Sequence, residues 1–318
     1  MAIHSIRFVG SNPTSHTKFC RKYLYALIAH LVERRSCKAD VVSSNPTEGT
    51  KFQKIMHENL VNLGAVVNSF RDFHTTGPFN HCIIDNFFQP EIAEQLAGEF
   101  MAYDNNRWHF YNNAIENKKA CNDWNCFPKL SYSVFSYLIG ENFTRLIGEL
   151  SGLKLYQDPG LHGGGWHIHG RGGMLNPHFD YNIHPKLGFQ RALNIIVYVS
   201  PELKEEHGGH LGLWEHNAEL REPGLLVKEI APKFNRAVIF DTTQNSWHGM
   251  SRPLIQPEDI YRKSLAVYYL KDPESGAEQR GKALFAPTES QKGDESVLEL
   301  IKLRSNEITS TQVYRVNK

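Results

Sequence analysis

The pattern of hydrophobic and polar positions changes near Gly152. Before this residue, apolar side chains recur at helical spacing. Ile92, Leu96 and Phe100 fall on one face of a segment that Pro90 opens, and proline is favoured in the first turn of a helix. We therefore predict a helix from Pro90 with one buried face.

Four other stretches before Gly152 have patterns of their own. The apolar, β-branched run 79–87 predicts a strand. The segments 132–138 and 143–150 predict two more helices, the second ended by Gly152, because glycine is favoured just past a helix C-terminus. The aromatic stretch 108–111 is interpreted as a loop.

After Gly152, short runs rich in β-branched and aromatic residues alternate with links rich in glycine and proline. Such a succession is typical of an all-β sandwich or barrel. We predict a mainly β fold with N-terminal helices, whose core is a double-stranded β-helix, or jelly roll. The predicted strands are 193–199 (LNIIVYV), 210–214 (HLGLW), 225–230 (LLVKEI), 236–240 (RAVIF) and 263–270 (KSLAVYYL).

Composition limits the class of protein. With 318 residues, 41% of them hydrophobic, and a net charge of +1, the chain is long enough for one substantial core of a globular protein. No run reaches the roughly eighteen apolar residues of a membrane span, and we predict neither a span nor a secretion signal. An odd number of scattered cysteines favours reduced thiols, so we expect a cytoplasmic protein. The cysteines are Cys20, Cys37, Cys82, Cys121 and Cys126.

The first 55 residues differ from the rest in charge. They carry nine lysine and arginine residues against three acidic ones, a net charge of about +6, which leaves about −5 for the remainder. They also contain a repeat, because SNPT at 11–14 recurs 33 residues later at 44–47. Two copies rich in turn residues cannot bury a core, which argues against a helical repeat.

Our interpretation of residues 1–55 is that they are translated from two transfer-RNA genes, so that Met56 is the first residue of the true product. The characteristic arms of such genes encode Ala-Gln-Leu-Val-Glu and Ser-Asn-Pro, and here AHLVE at 29–33 precedes SNP at 44–46 by a similar spacing. The alternatives are a basic disordered arm or a transit peptide. Abundant peptides from before Met56, found by mass spectrometry of the native protein, would contradict the interpretation.

Three residues have the spacing of a metal site. Residues two apart in a strand point to the same face, so His178 and Asp180 present an imidazole and a carboxylate side by side. His248, after the predicted strand 236–240, can face them from a return strand of the sandwich. Two histidines and one carboxylate leave other metal positions open, as in non-haem iron(II) oxygenases. We predict that His178, Asp180 and His248 bind Fe(II) and form the catalytic centre.

A second pair, Arg262 and Ser264, shares one face at the start of a strand. A guanidinium and a hydroxyl can together bind one carboxylate, which predicts a dicarboxylate co-substrate. Asn194 faces the same way as Ile196 and Tyr198 and is a further candidate for the co-substrate pocket. The alternative for Asn194 is an asparagine that satisfies a turn.

These motifs, in this order, resemble the 2-oxoglutarate/iron(II) dioxygenase superfamily, and within it the prolyl-4-hydroxylase-like branch. The resemblance covers residues 160–270, from HFD at 178–180 through HGMSRP at 248–253 to RKS at 262–264. It implies that 2-oxoglutarate and O2 bind at the iron while Arg262 and Ser264 hold the far carboxylate. It also implies hydroxylation of a C–H bond with release of succinate and CO2, and ascorbate as the reductant.

Two residues narrow the activity that the resemblance implies. Halogenating relatives have a small residue in place of Asp180, so its carboxylate favours hydroxylation. Collagen-type prolyl hydroxylases bind the far carboxylate with lysine, whereas this chain has Arg262, which argues against a procollagen substrate. We expect a prolyl or other amino-acid residue, or a small metabolite, as substrate. The alternative is a non-catalytic jelly-roll binding module.

Other features bear on partners. The acidic charge after residue 55 argues against nucleic acid as a ligand. His169, in a glycine-rich stretch interpreted as a flexible pocket wall, is a candidate substrate contact. The sequence does not predict an oligomeric state. The predicted regions are a leader or arm (1–55), a helical support region (56–152), the jelly-roll oxygenase core (153–272) and a tail with a short helix at 297–303 (273–318).

Overall fold

A computed structural model of the chain describes residues 60–310 and residue 313. The proposed leader, residues 1–55, lies outside the described residues. Within the described part, no helix has the length and apolar character that a membrane crossing requires.

The helices begin and end close to the residues predicted from the sequence. Pro90 is the first residue of its helix. Gly152, directly after the helix that ends at Ser151, adopts a left-handed conformation with a φ of +71°. The helices are α1 (Leu63–Ser69), α2 (Pro90–Glu99), α3 (Lys129–Leu138), α4 (Glu141–Ser151) and α5 (Glu295–Ser305), with short 3-10 turns at Phe70–Asp72, Trp124–Cys126, Glu205–His207 and Glu289–Gln291.

Strands make up most of the regular structure after Gly152, and three lie before it. The strands are β1 (His81–Ile84), β2 (His109–Asn112), β3 (Glu116–Cys121), β4 (Tyr156–Gln157), β5 (Gly165–His169), β6 (Met174–Leu175), β7 (His178–Phe179), β8 (Gln190–Tyr198), β9 (Leu211–Asn217), β10 (Glu222–Ile230), β11 (Ala237–Asp241), β12 (His248–Met250), β13 (Arg262–Lys271) and β14 (Leu284–Phe285).

The strands form two antiparallel sheets. The large sheet has nine strands in the order β1-β11-β8-β13-β5-β3-β2, with β4 pairing with β13 and β6 with β3. The small sheet has five strands in the order β10-β9-β12-β7-β14. Strands that are distant in sequence are neighbours in both sheets, as in a double-stranded β-helix, so the predicted jelly roll is confirmed.

Strand β13 shows how the layers are built, because it is buried on both faces. Leu265, Val267 and Tyr269 pack in the main core with the helices. Ser264 and Tyr268 alternate with them and face a cavity on the other side of the sheet. A strand buried on both faces has a nearly continuous apolar sequence, and for this reason the sequence predicts a strand at 263–270.

Two segments differ from their predicted structure. Residues 108–111 were predicted as a loop, but β2 and β3 form a hairpin at the edge of the large sheet. The side chains of β2 are mostly exposed, so its sequence lacks the apolar alternation of a half-buried strand. The glycine-rich stretch predicted as a flexible wall contains β5, which pairs with both β13 and β3. Residues 60–152 therefore contribute strands as well as helices.

Candidate active site

Strand pairing brings the two predicted histidine ligands together. His178 pairs directly with His248 across β7 and β12, and their ring centroids lie 4.3 Å apart. The Nδ1 atom of each ring lies 2.9 Å from a backbone carbonyl oxygen, that of Asn176 for His178 and that of Ser246 for His248. Because a carbonyl only accepts hydrogen bonds, each Nδ1 carries the hydrogen and each Nε2 presents a lone pair.

Asp180 completes the group directly after β7. Its Oδ1 atom lies 3.9 Å from Nε2 of His178, and its Oδ2 atom lies 3.6 Å from Nε2 of His248. Oδ1 accepts from Arg191 at 3.0 Å and from the Tyr268 hydroxyl at 3.3 Å, whereas Oδ2 is buried without a hydrogen-bond partner among the described residues. A buried carboxylate oxygen without a partner is costly, so the arrangement fits a cation.

The protonation states also suit a metal. Burial, helped by the neighbouring His248, holds the pKa of His178 well below its usual range, and burial lowers the pKa of His248. Burial by itself would raise the pKa of Asp180, but Arg191 and the two imidazoles outweigh it and lower that pKa to about 2. At neutral pH the group therefore consists of two neutral imidazoles and one carboxylate, the forms that bind a metal.

Arg191 is a residue that the sequence analysis missed. Its guanidinium is only 2% exposed and lies between two aromatic rings, 3.5 Å from the ring centroid of Tyr181 and 3.2 Å from that of Tyr268. Nη2 donates to the carbonyl of His162 at 2.8 Å, which fixes the guanidinium beside Asp180. The available indication in the sequence was a charged residue near the start of the mostly apolar strand β8.

The predicted co-substrate residues line the same cavity. Arg262, at the start of β13, donates from Nε to the carbonyl of Gly209 at 2.9 Å and from Nη2 to the Tyr198 hydroxyl at 3.4 Å. Ser264, two residues further along β13 and on the same face, is also buried. Asn194, on the neighbouring strand, is buried, and its Oδ1 has no hydrogen-bond partner in the described part of the chain. The remaining N–H groups of Arg262 can bind a carboxylate.

The cavity has a volume of about 450 Å³ and contains both groups. Its lining also includes His169, the predicted candidate substrate contact, and Lys118, which the sequence analysis did not identify. Residues from six strands of the large sheet (β2, β3, β5, β6, β8 and β13) contribute to it, together with the segment before α5. The polar and charged lining residues outside the groups above are His109, Tyr111, Glu116, Lys118, Asn122, His162, His167, His169, Tyr181, Lys282 and Arg304.

Comparison with known proteins gives a match over the cavity-bearing region. Residues 164–270 match the family model of the 2OG-Fe(II) oxygenase superfamily. Prolyl 3-hydroxylase OGFOD1 of Mus musculus is 25% identical over 197 residues, which cover 60% of this chain and 33% of the mouse protein. The chain thus spans about a third of the length of this relative. The resemblance predicted from the sequence, to the superfamily and to its prolyl-hydroxylase-like branch, is confirmed.

Solved structures with similarity to this chain have low sequence identity. A prolyl-4-hydroxylase from Pseudomonas putida is 16% identical, covers 65% of this chain with 98% of its own, and has a TM-score of 0.45. HygX from Streptomyces hygroscopicus, solved with nickel, 2-oxoglutarate and hygromycin B bound, is 12% identical, covers 64% of this chain with 86% of its own, and has a TM-score of 0.44.

Proposed function

We propose, because residues 164–270 match the family model of the 2OG-Fe(II) oxygenase superfamily, that the chain is an Fe(II)- and 2-oxoglutarate-dependent dioxygenase. It hydroxylates a C–H bond of a prolyl or other amino-acid residue, or of a small metabolite. The observation that carries the proposal is the convergence of Nε2 of His178, Nε2 of His248 and the carboxylate of Asp180, whose buried Oδ2 has no hydrogen-bond partner among the described residues.

These three side chains would hold the iron. When bound, the iron supplies the redox chemistry in which O2 oxidises 2-oxoglutarate to succinate and CO2 and one oxygen atom enters the substrate C–H bond. Imidazole and carboxylate ligands suit Fe(II), and the described residues place no cysteine in the cavity lining that would favour a structural zinc site. Ascorbate is the expected reductant of iron that oxidises without turnover.

The surrounding residues orient the ligands and the co-substrate. The carbonyls of Asn176 and Ser246 fix the ring orientations, and Arg191 with Tyr268 occupies Oδ1 of Asp180 so that Oδ2 faces the cavity. Elsewhere in the cavity, Arg262 binds the far carboxylate of 2-oxoglutarate. Ser264 and Asn194 also line the cavity.

The test measures succinate formed from 2-oxoglutarate by the full-length protein supplied with Fe(II) and ascorbate. We expect slow turnover without substrate, and loss of succinate formation to background in His178→Ala and Arg262→Ala. The matched controls, His74→Ala and Arg145→Ala, change exposed residues outside the cavity lining and should behave as the parent.

Binding measurements make the outcome decisive. Anaerobic titration of 2-oxoglutarate into the Fe(II)-loaded protein, followed by visible absorption, reports the complex directly. Binding without succinate formation would indicate an enzyme that turns over only with its substrate. If the parent binds neither Fe(II) nor 2-oxoglutarate, the proposal is wrong and the jelly roll is a binding module.

A further inference from the structure

A row of polar side chains crosses the large sheet on the face that lines the cavity. Arg262 pairs with His169 on β5, and Lys119 of β3 pairs with Ile168. Continuing that antiparallel register by one residue places Lys118 beside His169. Arg262, His169 and Lys118 all line the cavity, so the row extends from the proposed co-substrate arginine towards the β2–β3 hairpin.

His169 lies in this row as an unpartnered buried group. It is 2% exposed, and neither ring nitrogen forms a well-aligned hydrogen bond with a residue that the structure describes, although the backbone of Arg262 lies close enough to affect its pKa. Burial, together with Arg262, holds the pKa of His169 well below its usual range, so the ring is neutral and offers one donor and one acceptor. Leaving such a group unsatisfied costs about 1–3 kcal/mol. A molecule in the cavity can remove that cost.

Lys118 is the neighbouring cation, and its protein contacts are long. Its Nζ atom lies 3.9 Å from Oε2 of Glu116 and 5.2 Å from the ring centroid of Tyr111, and its side chain is 15% exposed. Glu116 also accepts from Nε of Arg304 at 2.9 Å. The carboxylate of Glu116 is therefore shared by two cations, and its shorter contact is to Arg304. Burial lowers the pKa of Lys118, which Glu116 opposes, and a further anion would stabilise the ammonium form.

The charges of the cavity lining as a whole favour an anion. Five lysine and arginine side chains line it against two carboxylates. Asp180 has Arg191 at 3.0 Å, and Glu116 has Arg304 at 2.9 Å. The cations outside these two close pairs are Lys118, Arg262 and Lys282. Because Arg262 is assigned to the co-substrate, Lys118 and Lys282 are the cations left for a second molecule, and Lys118 is the one in the row beside His169.

Arg262, in β13 itself, extends its guanidinium towards β8, whereas Lys118 lies two strands away in the opposite direction. The hydrogen-bond partner of Arg262 in the large sheet, Tyr198, belongs to β8 on one side of β13. His169 and Lys118 belong to β5 and β3 on the other side. A co-substrate held by Arg262 on the β8 side therefore leaves Lys118, two strands away, and the face of His169 turned towards it, to contact another molecule in the same cavity.

We propose that Lys118 and His169 bind a carboxylate of the substrate, so that the substrate of this site is an anion whose target C–H bond faces His178, Asp180 and His248. This inference rests on the proposed function for the identity of the site. The carboxylate belongs either to a small acid or to the C-terminus of a peptide. An internal residue of a protein chain, without a nearby anionic group, would leave Lys118 with the carboxylate of Glu116, 3.9 Å away and shared with Arg304, as its anion.

The experiment measures binding of matched probes by titration calorimetry, with Mn(II) and 2-oxoglutarate present so that no turnover occurs. The probes are N-acetyl-proline, N-acetyl-leucine and N-acetyl-lysine, each as free acid and as amide, and tripeptides that end in the same three residues. We expect at least one free acid to bind about tenfold or more tightly than its amide, because a charge-assisted hydrogen bond is worth about 1.5–3 kcal/mol. Tighter binding of the tripeptide than of the N-acetyl acid identifies a peptide C-terminus as the source.

Lys118→Met and His169→Phe test the two residues, and Lys119→Met is the matched control. Lys119 is the next residue of the same strand, and its Nζ atom donates to the carbonyl of Tyr103 at 2.6 Å, outside the cavity lining. We expect Lys118→Met to lose the tenfold preference for the free acid and Lys119→Met to retain it. Thermal unfolding of each variant establishes that it is folded.

The outcomes separate this inference from the proposed function. Equal binding of acids and amides, or no binding of any probe by the parent, overturns the carboxylate site while leaving the iron site intact. Weaker binding of 2-oxoglutarate in Lys118→Met also overturns it, because the lysine then belongs to the co-substrate. Failure of the parent to bind Mn(II) and 2-oxoglutarate contradicts the proposed function, whereas acid-selective binding that Lys118→Met abolishes still supports the anion site.

Discussion

Asp180 can present a free oxygen to a metal only because another residue occupies its second oxygen. Arg191 lies 3.0 Å from Oδ1 and is itself held between two aromatic rings. Side chains that orient metal ligands in this way typically change metal affinity or activity 10–100-fold when they are removed. The arginine is therefore a positioning residue for the carboxylate.

We predict that Arg191→Met weakens Mn(II) binding by about 10–100-fold, because Asp180 loses its fixed orientation and the charge that lowers its pKa. Titration calorimetry measures the affinity. Arg191→Lys keeps the charge without the planar contacts and should be intermediate. Arg145→Met on α4 is the control, since that exposed arginine bonds only to Asn142 among the described residues. A folded Arg191→Met protein with parental Mn(II) affinity would contradict the assigned role.

At the scale of elements, the helices follow local sequence signals closely. Gly152 ends α4 with a φ of +71°, a conformation that costs other residues energy because of their Cβ atom. Gly98 lies within α2, and the structure has no atom within 4 Å of the position of an added Cβ at either glycine. The two glycines thus differ in backbone conformation and not in available space.

We predict opposite effects of alanine at these two glycines. Gly152→Ala should lower the free energy of unfolding by about 1 kcal/mol because of its positive φ. Gly98→Ala should raise it by about 0.5–1 kcal/mol, since alanine is the better helix former. Denaturant unfolding of both variants measures the difference. A destabilised Gly98→Ala or a stabilised Gly152→Ala protein would show that packing, rather than backbone conformation, decides these sites.

At the scale of the whole molecule, an ion pair joins segments 151 positions apart in the chain. Asp85, directly after β1, accepts from Nε of Arg236 at 2.6 Å and from Nη2 at 3.0 Å. The hydrogen bond from Arg236 is the largest of the effects that lower the pKa of Asp85. The pair ties the edge strand β1 to the entry of β11.

We predict that this pair makes stability depend on pH. The folded pKa of Asp85 lies below the unfolded value of about 3.9, so its contribution is complete above that pH and is lost as the pH falls through the folded pKa. The carboxylate is 39% exposed, and solvent screening limits the contribution to about 0.5 kcal/mol.

Denaturant unfolding of the parent and Asp85→Asn from pH 7 to pH 3 measures this dependence. The difference between the two proteins should be constant near neutral pH and decrease below about pH 4. An equal difference at every pH would mean that the substitution acts through packing. Asp259→Asn, at an exposed aspartate, serves as the control for the loss of one negative charge.

Whole-molecule topology also explains which site residues could be predicted. His178 and Asp180 are two residues apart, and Arg262 and Ser264 share the start of one strand, so local spacing identified both pairs. Lys118 lies far upstream, beside a segment that was predicted as a loop. Its neighbours in the sheet come from β5 and β2, and no local pattern in the sequence predicts that pairing.

The sequence by itself determined the strand-rich architecture, the helix ends at Pro90 and Gly152, and the chemical types of the proposed metal ligands. These follow from side-chain periodicity and backbone preference, which act over a few residues. The tertiary structure decided the contacts of Arg191, Lys118 and His169. Antiparallel pairing between distant strands sets their distances, and burial then determines which polar groups are left without a partner inside the protein.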